Sequence, residues 1–305
     1  DYILTFKLKL KDVSCKNQLY KYVDLFKDYD LLSAPSRADM FIAYLVKKKY
    51  GIPFVMTWHG SDINIYPFES KLIFKTTKML IKNADWNFFV SKNLMETSDR
   101  IVKTNNKSHL YTGPSDIYLN KNRPDKIEAR TKIGINTERL IGFIGNFVPV
   151  KNILVLPDIY EKINNYFSDI IFVIVGNGDL GDELKKRFEI KNISNVYFKG
   201  KVEPENIPEI MSSLDVLVLP SISEGMPRVT LEALACGVNV VGSNVGGIPE
   251  SIGKENCFDL DDNFVDNISN RIIEILENNE KPKSLSPEFS WEYAIEKEVN
   301  TYKRI

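Results

Sequence analysis

Residues 221–241 read SISEGMPRVTLEALACGVNVV and carry two glutamates, Glu224 and Glu232. The apolar segment 215–220 comes directly before them and has the composition of a buried strand. A Ser-Glu-Gly-x-Pro turn follows and contains Glu224, and a segment with helical periodicity then contains Glu232. We therefore predict a strand, a turn and a helix, with one carboxylate ahead of the helix and the other two turns inside it.

The predicted helix has a recognisable start and stop. Pro227 suits the first helical position because it has no N–H to lose there, and Cys236-Gly237 supplies the stop. The first N–H groups of a helix have no partner inside it, and together with the helix dipole they attract anions. We expect an anion site at this helix start, formed by Gly225, Met226, Arg228 and Val229.

From residue 140 onward, short apolar segments alternate with helical patterns. Near-continuous Val, Ile and Leu segments are typical of strands buried on both faces of a parallel sheet, and their alternation with helices predicts an α/β fold. Since an open parallel sheet binds its ligand at the carboxyl ends of the strands, the segments after these strands are candidate sites. The predicted strands are 140–144, 170–175, 196–198, 215–219, 238–242 and 257–259, and the predicted helices are 153–165, 181–189 and 206–214.

The first half shows a weaker version of the same pattern. A polar stretch at 120–130 separates the halves and is the predicted linker, and a final helix is predicted at 291–303. The predicted strands of the first half are 31–34, 54–58, 86–90 and 110–111, and its predicted helices are 40–49 and 91–102.

Composition limits the alternatives. With 305 residues, 43% apolar and 27% charged, the chain is expected to form two ordinary globular domains. Three widely spaced cysteines give no disulfide framework, no signal peptide is visible, and no apolar run has the ~18 residues of a membrane span, so we expect a cytoplasmic protein. Residues 1–120 carry 18 Lys and Arg against 12 Asp and Glu, whereas the remainder carries 22 against 29. This asymmetry indicates different partners for the two halves.

Six segments follow one another in a recognisable order. They are 142–145 leading to Lys151, 173–178 (VIVGNG), 196–200 (VYFKG), 215–220 (DVLVLP), the segment with the two glutamates, and 246–250 (GGIPE). This series resembles the retaining, nucleotide-sugar-dependent glycosyltransferases of the GT-B fold, family 4, also described as glycosyl transferases group 1. The resemblance covers residues 50–305 and is dense from 140 to 254.

The resemblance implies an α/β fold with two Rossmann-like domains (GT-B) facing across a cleft. Residues 1–125 would form the N-terminal, acceptor-side domain, and residues 126–289 would form the C-terminal domain that binds the nucleotide-sugar. Residues 290–305, which include the last helix, would pack back on the first domain.

The start of the chain departs from the family. The chain opens at Asp1, its first methionine is Met40, and residues 1–30 contain no glycine. The family's first domain begins with a strand and a glycine-rich loop well upstream of the segment that resembles residues 30–36. We expect the N-terminal domain to lack that strand and loop because the sequence begins downstream of the domain's start; a reduced first domain is the alternative.

Sugar transfer from a nucleotide requires a diphosphate leaving group to be held while positive charge develops at the anomeric carbon. By the resemblance, Lys151 and the helix start would hold the phosphates. Glu224 would bind hydroxyls of the donor sugar, and Glu232 would accept hydrogen bonds from the ribose diol. Val202 lies in the loop that resembles the family's base-receiving segment.

One donor-site position differs from the family's pattern. The family often has an arginine near the position of Asn146, and asparagine can donate a hydrogen bond but cannot neutralise a phosphate. We expect Arg228, at the helix start, to compensate.

A second set of candidate residues lies in the first domain. The sequence Thr57-Trp-His59-Gly60-Ser61-Asp62 follows a predicted strand and resembles the family's histidine-containing active-site loop. The resemblance implies that His59 lines the donor sugar and the acceptor, with Ser61 and Asp62 orienting it. The acceptor-side residues are therefore Gly60, Ser61, Asp62, Ser91 and Gly113, and the catalytic residues are His59, Glu224 and Lys151.

The implied function is transfer of a sugar, from a UDP-sugar by preference, to a glycan or lipid-linked acceptor in surface polysaccharide synthesis (capsule, O-antigen or exopolysaccharide). No cofactor and no metal are expected, because Lys151 and the helix start would perform the metal's task; the Asp-x-Asp strings at 28–30 and 259–261 lie away from the donor segments. Two alternatives stay open. A non-catalytic GT-B partner subunit fits Asn146 and the abbreviated first domain, and a nucleotide-sugar epimerase would need acid and base residues that His59 and His109 supply poorly.

The first half also contains a basic amphipathic pattern, KLIFKTTKMLIK, at residues 71–82. Such a helix can lie on an anionic membrane surface, or it can pack on its own domain with a solvated lysine face. We keep both readings, and the first would place the protein at the inner face of the cell membrane. Nucleic acid is not an expected partner, because no recognition motif accompanies the lysines. The lysines concerned are Lys71, Lys75, Lys78 and Lys82.

Overall fold

The computed structural model describes residues 21–35, 37–120 and 124–305. It divides into two compact units, one ending at Tyr111 and completed by Glu292–Ile305, and the other comprising Thr112–Trp291. The predicted loss of the first strand and the glycine-rich loop concerns residues that lie largely outside the described part of the chain. In the described residues, no helix is both long enough and apolar enough to cross a membrane.

The first unit contains a four-stranded parallel sheet in the order β1-β2-β3-β4. Buried side chains of its central strands, such as Trp58, Phe88 and Phe89, form much of its core. Its strands are β1 (Leu32–Ala34), β2 (Phe54–Trp58), β3 (Trp86–Phe89) and β4 (Lys107–His109). Its helices are α1 (Arg37–Tyr50), α2 (Ser61–Asn64), α3 (Tyr66–Glu69), α4 (Lys71–Asn83), α5 (Lys92–Thr97) and the greater part of α13 (Trp291–Tyr302).

The strand predicted at 110–111 was misplaced. The last strand of this sheet pairs Lys107 with Asn87 and His109 with Phe89, so it ends where the apolar pair Leu110-Tyr111 begins. Its three residues lie at the sheet edge and are all partly exposed. A search of the sequence for runs of apolar residues therefore does not find this strand. The predicted helix at 91–102 is also shorter, with α5 followed by the 3₁₀ turn Ser98–Arg100.

The second unit contains a six-stranded parallel sheet in the order β10-β9-β8-β5-β6-β7. Its strands are β5 (Arg139–Ile144), β6 (Ile170–Val175), β7 (Val196–Gly200), β8 (Val216–Leu219), β9 (Asn239–Ser243) and β10 (Cys257–Phe258). Its helices are α6 (Lys126–Lys132), α7 (Leu156–Tyr166), α8 (Gly181–Ile190), α9 (Ile207–Ser213), α10 (Arg228–Ala235), α11 (Ile248–Ile252) and α12 (Phe264–Glu277). Buried clusters lie on both faces of the sheet, as the apolar strands predict.

The strand order of this sheet reverses between β5 and β8. From β5 the chain adds β6 and β7 on one side, and it then returns to add β8, β9 and β10 on the other. At such a switch point the loops after the two neighbouring strands diverge and leave a crevice at the carboxyl edge of the sheet. The second unit therefore has one position that is preformed for a ligand.

The boundary between the units lies at residue 111/112 and not at the predicted 125/126, and the last residues of the predicted linker belong to helix α6. Tyr118 packs in the same cluster as Ile135 and Leu140, which ties the segment after Tyr111 to the second unit. Helix α6 begins inside the predicted linker, where the Asp125 carboxylate caps it by accepting from the Glu128 N–H. The buried Arg130 of this helix donates to Asp215 at 2.6 Å. A polar sequence was thus mistaken for a loop.

Candidate functional site

Two predicted site residues meet at the switch point. Lys151 follows β5 and Glu224 follows β8, and the lysine Nζ lies 2.6 Å from the glutamate Oε1. Both side chains are largely enclosed, with 22% of the lysine and 12% of the glutamate side chain exposed. A cation and an anion are therefore held together at the carboxyl edge of a parallel sheet, where each can contact a polar ligand.

The loop that carries Lys151 is fixed by its backbone. Pro149–Lys151 forms a 3₁₀ turn, which ends at Asn152 in the left-handed conformation with φ 52°. The Ile222 N–H donates to the Val150 carbonyl at 2.8 Å and so joins the loop after β5 to the loop after β8. The ion pair is thus supported by a backbone contact between the same two loops.

The loop that carries Glu224 is fixed from its other side by the segment after β9. The Gly247 N–H donates to the Gly225 carbonyl at 2.8 Å. Gly246 has φ +54°, and a Cβ atom there would lie 2.0 Å from the Glu224 carbonyl oxygen. The glycine pair of the 246–250 segment therefore allows a close backbone approach that supports Glu224.

Helix α10 begins one residue later than predicted. Pro227 is the N-cap, with φ −74° and ψ 114°, because its extended ψ angle keeps it out of the helix, and Arg228 is the first helical residue. The predicted stop is confirmed, since Cys236 is the C-cap and Gly237 has φ +74°. Glu232 consequently lies little more than one turn inside the helix, not two. The first N–H groups of α10, from Arg228 and Val229, face the same end of the sheet as Glu224.

Glu232 is enclosed beside a tyrosine that sequence analysis did not single out. Burial raises the pKa of this carboxyl above its usual value, while the Arg228 guanidinium and then the neighbouring Tyr118 hydroxyl act in the opposite direction. The Arg228 Nε lies 3.9 Å from the carboxylate, and 53% of its side chain is exposed. The Arg228 guanidinium thus lies near Glu232 in this structure. That Arg228 supplies the phosphate-binding charge that Asn146 lacks stays a prediction.

The glycines of the 173–178 segment serve backbone packing. Gly176 has φ +137°, and a Cβ atom there would lie 1.8 Å from the Gly145 carbonyl oxygen. Gly178 has φ +150°, and its Cβ atom would lie 2.5 Å from the Phe147 carbonyl oxygen. These two positions hold the loops after β5 and β6 together, and so they position the segment that leads to Lys151.

Asn146 and Val202 both follow strands at the carboxyl edge of the second sheet, as predicted, but their side chains differ in exposure. Asn146 follows β5 and is exposed, so its amide is accessible to a ligand. Val202 follows β7 and packs, partly buried, against the hydrophobic cluster that also contains Leu219. Their donor-binding roles stay predictions.

The histidine loop of the first unit is held by Asp62. His59 follows β2, and its side chain is exposed. The Asp62 carboxylate accepts hydrogen bonds from the backbone N–H groups of His59 and Gly60, at 3.0 and 2.8 Å. Asp62 therefore shapes the loop through the backbone, and Ser61 begins helix α2 beside it. In the described part of the chain, neither Asp62 nor Ser61 forms a hydrogen bond with the His59 imidazole.

Ser91 and Gly113 have structural roles in the described residues. Ser91 is fully buried, and its hydroxyl accepts from the Leu94 N–H as the N-cap of α5. A Cβ atom at Gly113 would lie 3.0 Å from the Trp291 backbone nitrogen, so the glycine permits a close chain crossing. The Trp291 Nε1 donates to the Pro114 carbonyl in the same crossing. The Ser91 hydroxyl is thus buried and used as a helix cap, and its predicted acceptor-side role stays a prediction.

No group of three or more His, Cys, Asp or Glu side chains suited to a metal occurs among the residues that the structure describes. The two Asp-x-Asp strings lie in separate units. In the second of them, Asp259 accepts from the Asn244 amide and Asp261 accepts from the Asn263 N–H. The expectation that no metal is required stays a prediction.

Comparison with solved structures defines the class. The protein resembles HepE of Anabaena, solved in complex with UDP, with a TM-score of 0.83 and 19% sequence identity over 96% of this chain and 84% of that one. Together with the two parallel sheets, this likeness confirms the predicted α/β fold class with two Rossmann-like domains, GT-B. A family model described as glycosyl transferases group 1 matches residues 125–288, more than half of the chain. The protein belongs to the glycosyl transferases group 1 family.

Two curated relatives extend the comparison. The chain is 32% identical over 213 residues to the putative teichuronic acid biosynthesis glycosyltransferase TuaC of Bacillus subtilis, a match covering 70% of this chain and 52% of the relative. It is 27% identical over 291 residues to the UDP-Gal:alpha-D-GlcNAc-diphosphoundecaprenol alpha-1,3-galactosyltransferase of Escherichia coli, covering 87% of this chain and 71% of the relative. The match thus spans about half the length of the Bacillus relative.

Proposed function

We propose that this protein is a retaining, metal-independent glycosyltransferase of family 4. It transfers a hexose-type sugar from a UDP-sugar to a glycan or lipid-linked acceptor in surface polysaccharide synthesis. The observation that carries the proposal is the Lys151–Glu224 pair at the switch point, 2.6 Å apart and next to the start of α10. Membership of the family supports transfer chemistry, and the UDP bound to HepE and the UDP-Gal donor in the name of the E. coli relative support a UDP-sugar donor.

The proposed roles follow from the chemistry of each group. Lys151 and the first N–H groups of α10 stabilise the diphosphate as it leaves, because both present positive charge to it. Glu224 accepts hydrogen bonds from hydroxyls of the donor sugar. Glu232 accepts two hydrogen bonds from the ribose diol, which a carboxylate does with its two oxygens.

The reaction proposed at the anomeric carbon retains its configuration. The bond from this carbon to the phosphate oxygen breaks, and the acceptor oxygen forms its bond on the same face. The acceptor proton moves to the leaving phosphate oxygen, so no pair of catalytic carboxylates as in glycosidases is required. His59, at the end of β2, lines the sugar or the acceptor in this proposal and takes no obligatory proton.

The first test measures thermal unfolding in EDTA with UDP, GDP, ADP and their common sugar conjugates. UDP and one UDP-sugar should raise Tm, because a ligand bound only to the folded state stabilises it by mass action. In Glu232→Ala the shift should disappear, whereas Glu209→Ala, which removes a carboxylate of α9, should keep it. Stabilisation that requires added divalent metal would contradict metal independence, and no shift with any nucleotide would overturn the donor site.

The two alternative functions predict different products. A non-catalytic partner subunit would bind UDP-sugar without turnover, whereas the proposed enzyme releases UDP on transfer or slow hydrolysis. An epimerase would convert one UDP-sugar into another without releasing UDP. His109 offers little acid–base capacity at neutral pH, because burial, followed by Lys297 and Lys92, lowers its pKa to about 4.

We also propose that α4 makes peripheral contact with an anionic membrane at the cytoplasmic face. Its four lysines, 71, 75, 78 and 82, are exposed, and Thr77, Leu80 and Ile81 face the unit's interior. Leu72, with 52% exposure, lies among the lysines, and Phe68 of α3, with 48% exposure, lies nearby. Exposed apolar side chains beside a cationic face are the combination that an interfacial helix presents to anionic lipid.

The membrane proposal predicts sedimentation with anionic vesicles and little with neutral ones. Replacing Lys75 and Lys78 together with glutamine should weaken partition by about tenfold or more, since each surface lysine contributes ~1 kcal/mol. Replacing Lys185 and Lys186, an exposed pair on α8 with the same charge, serves as the matched control and should change it little. Equal partition into both kinds of vesicle would exclude the proposal.

A further inference from the structure

Two buried hydroxyl groups join helix α10 to helix α11. Thr230 lies in the first turn of α10, Ser251 lies in α11, and at most 2% of either residue is exposed. The Thr230 Oγ1 lies 2.9 Å from the Ser251 Oγ, within hydrogen-bond distance. Because neither hydroxyl reaches the surface, this contact serves the arrangement of the two helices and not the direct binding of a ligand.

Each hydroxyl also has a carbonyl oxygen as a neighbour. The Thr230 Oγ1 lies 2.8 Å from the Pro227 carbonyl oxygen, and the Ser251 Oγ lies 2.9 Å from the Ile248 carbonyl oxygen. Two hydroxyl protons thus serve three contacts. If both protons pointed at carbonyls, the two hydroxyl oxygens would face each other without a proton between them. The arrangements that avoid this keep one proton between Thr230 and Ser251 and direct the other to one of the carbonyls.

The pair of hydroxyls closes a ring of contacts around the loop between β8 and α10. On one side the Gly247 N–H donates to the Gly225 carbonyl at 2.8 Å, and the Ser251 N–H donates to the Gly247 carbonyl at 3.2 Å. On the other side the Thr230 N–H donates at 3.2 Å to the carbonyl of Pro227, the N-cap of α10. The hydrogen bond between the two hydroxyls joins these two sides.

We infer that Thr230 and Ser251 are positioning residues, which hold the start of α10 in register with the loop after β9. The inference rests on the proposed function, in which the first N–H groups of α10 stabilise the leaving diphosphate and Glu224 binds the donor sugar. Glu224 directly precedes Gly225, and these N–H groups directly follow Pro227, so the ring of contacts fixes both. Groups of this kind stabilise a transition state only when they are held in place beforehand.

The experiment replaces Thr230 with valine, which keeps the branched shape and removes the hydroxyl, and with serine, which keeps the hydroxyl and removes the methyl group. The measurement is steady-state UDP release from the UDP-sugar that the thermal screen selects, at a temperature where every variant is folded. Thr230→Val should lower kcat by about tenfold or more and change KM by less than about threefold, because displaced groups lose mainly transition-state contacts. Thr230→Ser should keep kcat within about twofold, although the loss of a buried methyl group lowers its stability.

Ser251→Ala removes the other half of the link and should lower kcat to a similar extent. Either single replacement leaves the remaining hydroxyl a carbonyl to which it can donate, so no buried donor loses its partner and the variants should fold. The double variant Thr230→Val/Ser251→Ala should lose no more activity than the more affected single variant, because both replacements remove the same hydrogen bond. Losses that multiply would show that the two hydroxyls act separately and would overturn the link.

Ser213→Ala is the matched control. The Ser213 hydroxyl is fully buried and lies 2.6 Å from the Ile210 carbonyl oxygen, three residues earlier, as the Ser251 hydroxyl lies near that of Ile248. Ser213 ends α9 ahead of β8, at the opposite edge of the sheet from Glu224. Ser213→Ala should therefore lower Tm by a similar amount and keep kcat. An equal loss of kcat in this variant would show a general sensitivity to buried hydroxyls and would overturn the positioning role.

The outcomes separate this inference from the function on which it rests. If the native protein releases UDP and both Thr230→Val and Ser251→Ala keep its kcat, the positioning role is overturned while the proposed function stands. If kcat falls equally in Thr230→Val and Thr230→Ser, the loss follows packing and not the hydroxyl, and the role is again overturned. If the native protein neither binds UDP nor releases it from any UDP-sugar, the proposed function itself is overturned, and the inference with it.

Discussion

Replacing Lys151 with methionine should lower kcat by about 10²–10³-fold, the loss that follows removal of one preorganised group from a developing negative charge. Methionine keeps an unbranched side chain of similar length and removes only the ammonium group. UDP affinity should fall as well, because the ground-state diphosphate already carries charge. The measurement is steady-state transfer or donor hydrolysis, together with direct UDP binding.

The chain supplies a closely matched control in Lys191. Its Nζ lies 2.6 Å from the Glu161 Oε2 and 2.9 Å from the Asp158 Oδ1, and 25% of its side chain is exposed, so this lysine is similar to Lys151 in pairing distance and exposure, although Glu161 is more exposed than Glu224. Lys191, however, follows the carboxyl end of α8, away from the carboxyl ends of the strands. Lys191→Met should lose a similar amount of stability and keep activity. Equal activity in the two variants would show that Lys151 forms only a structural ion pair with Glu224 and takes no part in donor binding or catalysis.

The strands of the second unit were predictable because burial on both faces leaves little choice of residue. The segment 170–175 was predicted with its observed bounds, and the others shifted by one or two residues at their ends. The first sheet was harder at its edge, since β4 reads Lys-Ser-His and is held by backbone pairing with β3. This segment is a strand because it pairs with β3, and the sequence of the segment alone does not show that pairing.

In the candidate site, too, some residues could be predicted from the sequence and others depend on tertiary contacts. Lys151 and Glu224 could be predicted because each follows a strand, and parallel strands bring their ends to one edge. The place of Tyr118 could not, because this residue precedes the second unit's first strand and joins the cluster with Ala233 and Leu234 of α10 only through tertiary packing. The capping role of Ser91 could not be predicted for a related reason. Its place after a strand suggested a ligand, but helix capping uses its hydroxyl.

Gly246→Ala should lower transfer by about 100-fold, because displacing a catalytic group by ~1 Å has an effect of that size. A Cβ atom at this position would lie 2.0 Å from the carbonyl oxygen of Glu224, so one of the two segments has to move. The movement is transmitted to the carboxylate that we propose to hold the donor sugar. UDP lacks the donor sugar and should therefore lose less affinity than the UDP-sugar does.

A second glycine separates this displacement from the cost of the backbone conformation. Gly237 has φ +74° and nothing within 4 Å of an added Cβ atom, so Gly237→Ala reports the left-handed conformation alone, about 1 kcal/mol of unfolding free energy. Gly246→Ala should lose more stability than this, and it alone should lose transfer. If both variants keep transfer activity and lose equal stability, the loop after β9 accommodates the added Cβ atom without displacing Glu224. The carboxylate would then be fixed by Lys151 and not by the glycine contact behind it.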